Sequence, residues 1–232
     1  ALAEGESTVR NVALSRDVEA TLRCVAALGC AWEQPQPGVL RVRGRGGRAA
    51  VPGGDLPRFD CGESGSTLRF LIPIALALAG GGAFTGKGRL MGRPQTPYLD
   101  LFDEKGVAHT LEDGVLTVRG TLKSGEFRLP GDVSSQFFTG LLFALPLLEG
   151  DSAVISTTEA ESGDYIAMTV QALRAAGIHV LAQPGRRRWL VPAGRFRPFD
   201  ATVEADWSQA AFWYAANVLG GGLQIGGLNP NS

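Results

Sequence analysis

Gly62-Glu63-Ser64-Gly65-Ser66-Thr67-Leu68-Arg69-Phe70 and Gly131-Asp132-Val133-Ser134-Ser135-Gln136-Phe137-Phe138-Thr139 are the two stretches whose comparison decides the fold. Each is an acidic or hydroxylic turn that opens a very apolar segment, and the segments close at Gly81 and Gly150. Openings and closings are both 69 residues apart, 131 against 62 and 150 against 81. Ala205-Asp206-Trp207-Ser208-Gln209 opens a third such segment, which closes at Gly220–Gly222. A shared register at both ends points to internal repetition.

A second kind of segment alternates with the first. Ser15–Leu28 has Val18, Leu22 and Val25 on one face and stops at Gly29, the pattern of an amphipathic helix. Pro94–Lys105 repeats it, with prolines in the first turn and Gly106 at the end, and Ser162–Ala176 repeats it again before Gly177. Strands are predicted over Val39–Arg43, Leu116–Arg119 and Trp189–Val191, after shorter apolar-polar pairs. A helix that is apolar on all sides belongs inside a protein, whereas an amphipathic one buries one face. The expectation is an α/β (α+β) fold of units about seventy residues long, each an all-round apolar helix, a strand, an amphipathic helix and two or more strands, with central buried helices, sheets outside and a pseudo-threefold axis.

The same frame yields expectations for the two ends. Ala3-Glu4-Gly5-Glu6-Ser7 matches Leu148-Glu149-Gly150-Asp151-Ser152, so residue 1 is expected at the tail of a buried helix whose front is not in the chain. Residues 1–204 are expected to form a first domain lacking its first helix, and 205–232 the incomplete start of a second. The helix around Asp206–Leu219 is expected to fold back into the vacant central position, within the chain or from a second chain.

Composition narrows the function. The 232 residues are 44% hydrophobic and 19% charged with a net charge of -1, which speaks against a general nucleic-acid binder or a membrane-surface protein. The most apolar runs, Phe70–Ala79 and Leu141–Leu148, are too short to span a bilayer. Cys24, Cys30 and Cys61 are odd in number without CxxC spacing, which favours a reducing, cytoplasmic setting over disulfides or zinc. His109 and His179 are isolated, so no metal site and no histidine triad is expected. Lys87, Lys105 and Lys123 are the only lysines, so arginine, suited to phosphate and carboxylate, supplies most of the positive charge. A nucleotide-binding loop at Gly62–Thr67 is disfavoured, because no Gly-Lys-Ser/Thr ending follows.

Pro130–Phe137 with its Ser-Ser-Gln, Gly62–Arg69, Arg93-Pro94, Ser162-Gly163-Asp164-Tyr165 and Glu204-Ala205-Asp206, in this order and spacing, resemble the enolpyruvyl transferases, the EPSP synthase branch most closely. The resemblance covers essentially the whole chain. It implies one domain of a two-domain fold, each domain three βαβαββ units around buried helices, that binds shikimate 3-phosphate and phosphoenolpyruvate in the cleft between domains. It implies that Ser134, Ser135 and Ser162 hydrogen-bond the shikimate phosphate, that Tyr165 lies by the shikimate carboxylate, and that Gln136 reaches both substrates. On the phosphoenolpyruvate side it implies Gly65 and Arg93, with Ser66 and Arg69 as further candidates. No cofactor or metal is implied. The family's acid/base lysine lies in a Lys-Ser-x-x-x-Arg motif before this chain begins and its aspartate and glutamate in the second domain. No catalytic residue is therefore expected on this chain, and it is expected to be inactive alone.

Alternatives stand beside these assignments. Serines at helix starts cap helices without any ligand, and Arg69 in an apolar helix could serve a structural ion pair, with Glu63 as one partner. Glu63-Ser64-Gly65-Ser66 replaces the Asn-Ala-Gly-Thr of many relatives, and Phe70 a proline, which leaves glyphosate sensitivity open. The rival readings are a UDP-N-acetylglucosamine enolpyruvyltransferase and a non-catalytic truncated domain.

Overall fold

In the computed structural model of the chain, residues 1–46, 55–159, 163–185 and 187–228 are described. The first repeat runs β1 (Glu4–Arg10), α1 (Arg16–Ala27), β2 (Ala31–Gln36) and β3 (Val39–Arg45). The second runs β4 (Arg58–Asp60), α2 (Gly65–Ala79), β5 (Gly81–Thr85), α3 (Thr96–Lys105), β6 (Ala108–Glu112) and β7 (Val115–Arg119). The third runs β8 (Glu126–Leu129), α4 (Ser135–Ala144), β9 (Ser152–Ser156), α5 (Gly163–Ala175), β10 (Leu181–Ala182) and β11 (Arg188–Val191). β12 (Ala201–Thr202) and α6 (Trp207–Val218) follow. The second and third repeats are thus βαβαββ units, in which β4 and β8 precede the helix, strand, helix and strand pair that the 69-residue register predicts.

Three four-stranded sheets carry one topology, in the orders β12-β1-β3-β2, β4-β5-β7-β6 and β8-β9-β11-β10. In each, the second strand has a parallel neighbour on one side and an antiparallel one on the other. β12 takes in the first sheet the place that β4 and β8 take in theirs. It is secured there by Asp200, whose carboxylate accepts from the Thr8 N–H at 3.0 Å and pairs with Arg10 at 3.2 Å.

Local chemistry explains the helices. Ser15 caps α1 by accepting from the Val18 N–H, and Gly106 closes α3 in the left-handed region at φ 68°. Ser64 and Ser134 cap the two central helices. α2 and α4 then sink into the core: Leu68, Leu71, Ile72, Leu76, Phe137, Phe138 and Leu141 are all buried. Each such side chain contributes about 1.5–3 kcal/mol.

The two central helices pack extensively and approach backbone to backbone at Gly140. A β-carbon on Gly140 would lie 2.4 Å from the Arg69 carbonyl oxygen and 3.2 Å from the Phe70 Cα, so α4 reaches the backbone of α2 there. Pro73 inside α2 has no N–H to give that same Arg69 carbonyl, four residues back. Fully buried Tyr98 supplies the missing donor: its hydroxyl lies 3.0 Å from the Arg69 oxygen and 2.8 Å from the Phe137 oxygen on α4. Tyr98 and Gly140 together set the separation of the two helices.

Within the chain, the expected return of α6 to the core does not occur. Asp206 caps it as a helix, accepting from the Ser208 and Gln209 N–H groups, but only Ala210 is buried and Phe212 is 73% exposed. The cause is local. The chain turns at Gly220–Gly222 and binds back to α6: the Asn217 amide exchanges two hydrogen bonds with the Leu223 backbone at 2.7 and 2.8 Å. The Ala205 N–H then donates to the Gly227 carbonyl at 2.9 Å.

Candidate active site

The N-termini of α2 and α4 open on the same side of the core and share a cleft of about 520 Å³. Ser66 and Phe70 line it from α2, Ser134 to Gln136 and Phe143 from α4, and Tyr165 and Met168 from α5. Its mouth is hydroxyl and amide, and its floor is apolar. Unpaired N–H groups at two helix starts make the mouth favourable for anions.

Ser134 accepts from the Gln136 N–H at 3.3 Å, so it is a cap as well as a cleft residue. The Ser135 hydroxyl has no partner among the described residues. Tyr165 is 57% exposed at the rim. Ser162, expected beside them, lies outside the described residues. On the α2 side, Ser66 Oγ is 3.2 Å from Ser64 Oγ. Ser64 accepts from the Thr67 hydroxyl at 2.8 Å, and Thr67 lies 2.7 Å from Thr21 on α1. A chain of hydroxyls therefore ties the loop to α1.

Gly65, Arg93, Gln136 and Arg69 converge. A β-carbon on Gly65 would lie 3.1 Å from Arg93 Nη1 and 3.8 Å from Gln136 Oε1. Arg69 Nη1 donates to Gln136 Oε1 at 2.8 Å and Nη2 to the Pro94 carbonyl at 3.4 Å, with the guanidinium 4.7 Å over the Phe137 ring. Burial, and then repulsion from Arg93, lower the Arg69 pKa from its ordinary value. The sequence alternative of an Arg69–Glu63 ion pair does not form. Glu63 folds the other way, and a β-carbon on Gly88 would meet its carboxylate at 2.3 Å. Among the described residues no carboxylate pairs with Arg69 or Arg93. Two guanidinium groups without a carboxylate partner beside two helix N-termini make this end of the core electropositive, a setting that suits anions.

Sequence reasoning missed Tyr98, Pro73 and Gly140. The Pro73 signal was available, since a proline inside a helix frees the carbonyl four residues earlier. A larger hollow of about 620 Å³ lies between α5 and the β10–β11 hairpin. Arg187 on its wall is paired with Glu159 at 3.2 Å and Asp164 adds a further carboxylate, which suits it poorly to anions. Among the described residues no group of three or more His, Cys, Asp or Glu could hold a metal, and no helix is long and apolar enough to cross a membrane.

The 3-phosphoshikimate 1-carboxyvinyltransferases of Clostridium beijerinckii and Clostridium kluyveri are 38% and 40% identical to this chain over its whole length. The chain spans 54% of the length of each. Among solved structures, an EPSP synthase from Acinetobacter baumannii superposes with a TM-score of 0.74 at 27% identity, over 92% of this chain and 47% of that one. Residues 1–232 match the family described as EPSP synthase (3-phosphoshikimate 1-carboxyvinyltransferase), and the chain belongs to that family.

Proposed function

We propose that this chain is the shikimate-3-phosphate-binding side of an enzyme that transfers the enolpyruvyl group of phosphoenolpyruvate to the 5-hydroxyl of shikimate 3-phosphate, releasing phosphate. The observation that carries the reading is the convergence of two capped helix N-termini with Arg69 and Arg93, neither offset by a carboxylate. Ser134 and Ser135, with Ser162, receive the shikimate phosphate, and Tyr165 the carboxylate. Gly65, Ser66 and Arg93 receive phosphoenolpyruvate, and glyphosate would enter the same half-site. Gln136 stands between the two substrates.

The 5-hydroxyl attacks C2 of phosphoenolpyruvate as its methylene carbon gains a proton, and the tetrahedral adduct then loses phosphate. The residues named here bind and orient, which favours the step by holding reactants together. None of the three lysines lines the cleft; on this reading the acid/base lysine belongs to a segment upstream and the acid/base carboxylates to a second domain, so the chain alone binds without turning over. Residues 1–204 form the substrate-binding domain and 205–232 lead toward the partner domain. Three free cysteines fit a reducing cytoplasm.

Calorimetric titration with shikimate 3-phosphate tests the reading. Saturable binding is expected, with none for UDP-N-acetylglucosamine. No heat at millimolar ligand, or phosphate release from both substrates by the chain alone, would contradict it.

A further inference from the structure

Arginine carries only donors, so the atom of Gln136 that Arg69 approaches at 2.8 Å must be the carbonyl oxygen Oε1. The Gln136 amide is thereby fixed in one of its two orientations. Nε2, with two N–H groups, has no protein partner among the described residues, and Gln136 lines the cleft. Arg69 is itself held from three sides. Nη2 meets the Pro94 carbonyl, the guanidinium lies over Phe137, and its backbone is pinned by Tyr98 and by the approach of Gly140.

We infer that Arg69 is a positioning residue that does not bind substrate but turns the Gln136 amide so that only its N–H₂ faces the cleft. Resting on the function proposed above, this leaves Arg93, Gln136 Nε2 and the helix-start N–H groups as donors that carry no acceptor, with the serine hydroxyls able to donate beside them. A fully deprotonated phosphate or carboxylate satisfies every one of them. A ligand presenting a hydroxyl or amine donor at Gln136 finds no acceptor there and is rejected.

Two measurements on the whole chain test this. Without ligand, Gln136→Glu converts the contact into an ion pair and raises the urea midpoint, and Arg69→Met removes that gain. No coupling between the two substitutions would overturn the inference whatever the ligand results. With shikimate 3-phosphate, Arg69→Met weakens binding about tenfold, the scale of one misplaced hydrogen bond. Arg69→Lys, which keeps a donor, restores most of it. In a Gln136→Met background Arg69→Met has no further effect. A tenfold loss persisting in that background would show Arg69 touching the ligand directly and overturn the positioning role. Absence of binding by the unsubstituted chain would instead overturn the functional reading, and with it the donor set, while leaving the ligand-free coupling to be judged separately.

Discussion

The space a β-carbon would need on Gly65 ends 3.1 Å from Nη1 of Arg93. The guanidinium tip is flexible and exposed, so Gly65→Ala is expected to fold normally, within about 0.5 kcal/mol of the parent. The displaced Arg93 is expected to weaken phosphoenolpyruvate binding about tenfold in an enzyme containing both domains, about 1.4 kcal/mol. Shikimate 3-phosphate, on the α4 side, should be affected much less. Separate titrations of the two ligands make the comparison.

Gly140 offers no such freedom. Its added β-carbon would meet the Tyr98 hydroxyl at 2.3 Å and the Arg69 carbonyl at 2.4 Å, one of them backbone. Gly140→Ala should therefore push α4 from α2 and cost about 1–3 kcal/mol or more, as overpacking does. Urea denaturation reads the loss.

Tyr98→Phe should cost about 1–3 kcal/mol, because two buried carbonyls lose their shared donor. Its pH dependence is also distinctive. Burial raises the Tyr98 pKa well above the ordinary 10.0, so the neutral phenol's contribution is complete below pH 10. As pH rises further the unfolded tyrosine ionises first, and stability falls by up to about 1.4 kcal/mol per pH unit until the folded value is reached. The Phe variant should lack this part of the alkaline slope, measured by denaturation between pH 9 and 11.

Ser134 and Ser135 should separate in stability but not in binding. Ser134→Ala loses a helix cap and about 1 kcal/mol. Ser135→Ala breaks no bond among the described residues and should stay within about 0.5 kcal/mol. Both should weaken shikimate 3-phosphate binding by calorimetry.

Removal of residues 205–232 should leave the melting temperature of the rest nearly unchanged, since α6 buries only Ala210. Phe212, Trp213, Val218 and Leu219 are exposed together, an apolar surface of the kind that promotes association. Sedimentation should show less self-association after the removal.

Much of the architecture was legible because each element carries its own punctuation. Ser15 and Gly29 bracket α1, Gly106 ends α3, and the 69-residue register ties α2 to α4. The strand ends at Arg119 and Val191 were placed for the same reason. What escaped depends on helix crossing. Arg69 and Gln136 stand 67 residues apart, and their contact exists only because Gly140 lets α4 against α2. Local reasoning sought a carboxylate for Arg69 and found Glu63, but Glu63 is turned toward Gly88. The position of α6 escaped because its apolar pattern does not reveal that Asn217 and Leu223 hold the following turn to it.

The strand β12 closes the first sheet with residues 192 positions from their partners, as the Thr8–Asp200 bond records. The other two sheets are built from neighbouring sequence. A chain emerging from the ribosome can therefore finish its second and third sheets while the first still lacks an edge. Closing so long a loop is slow compared with local pairing. Of the three sheets, the one holding β1 is the last to be completed, and its β1 edge waits for residues 200–202.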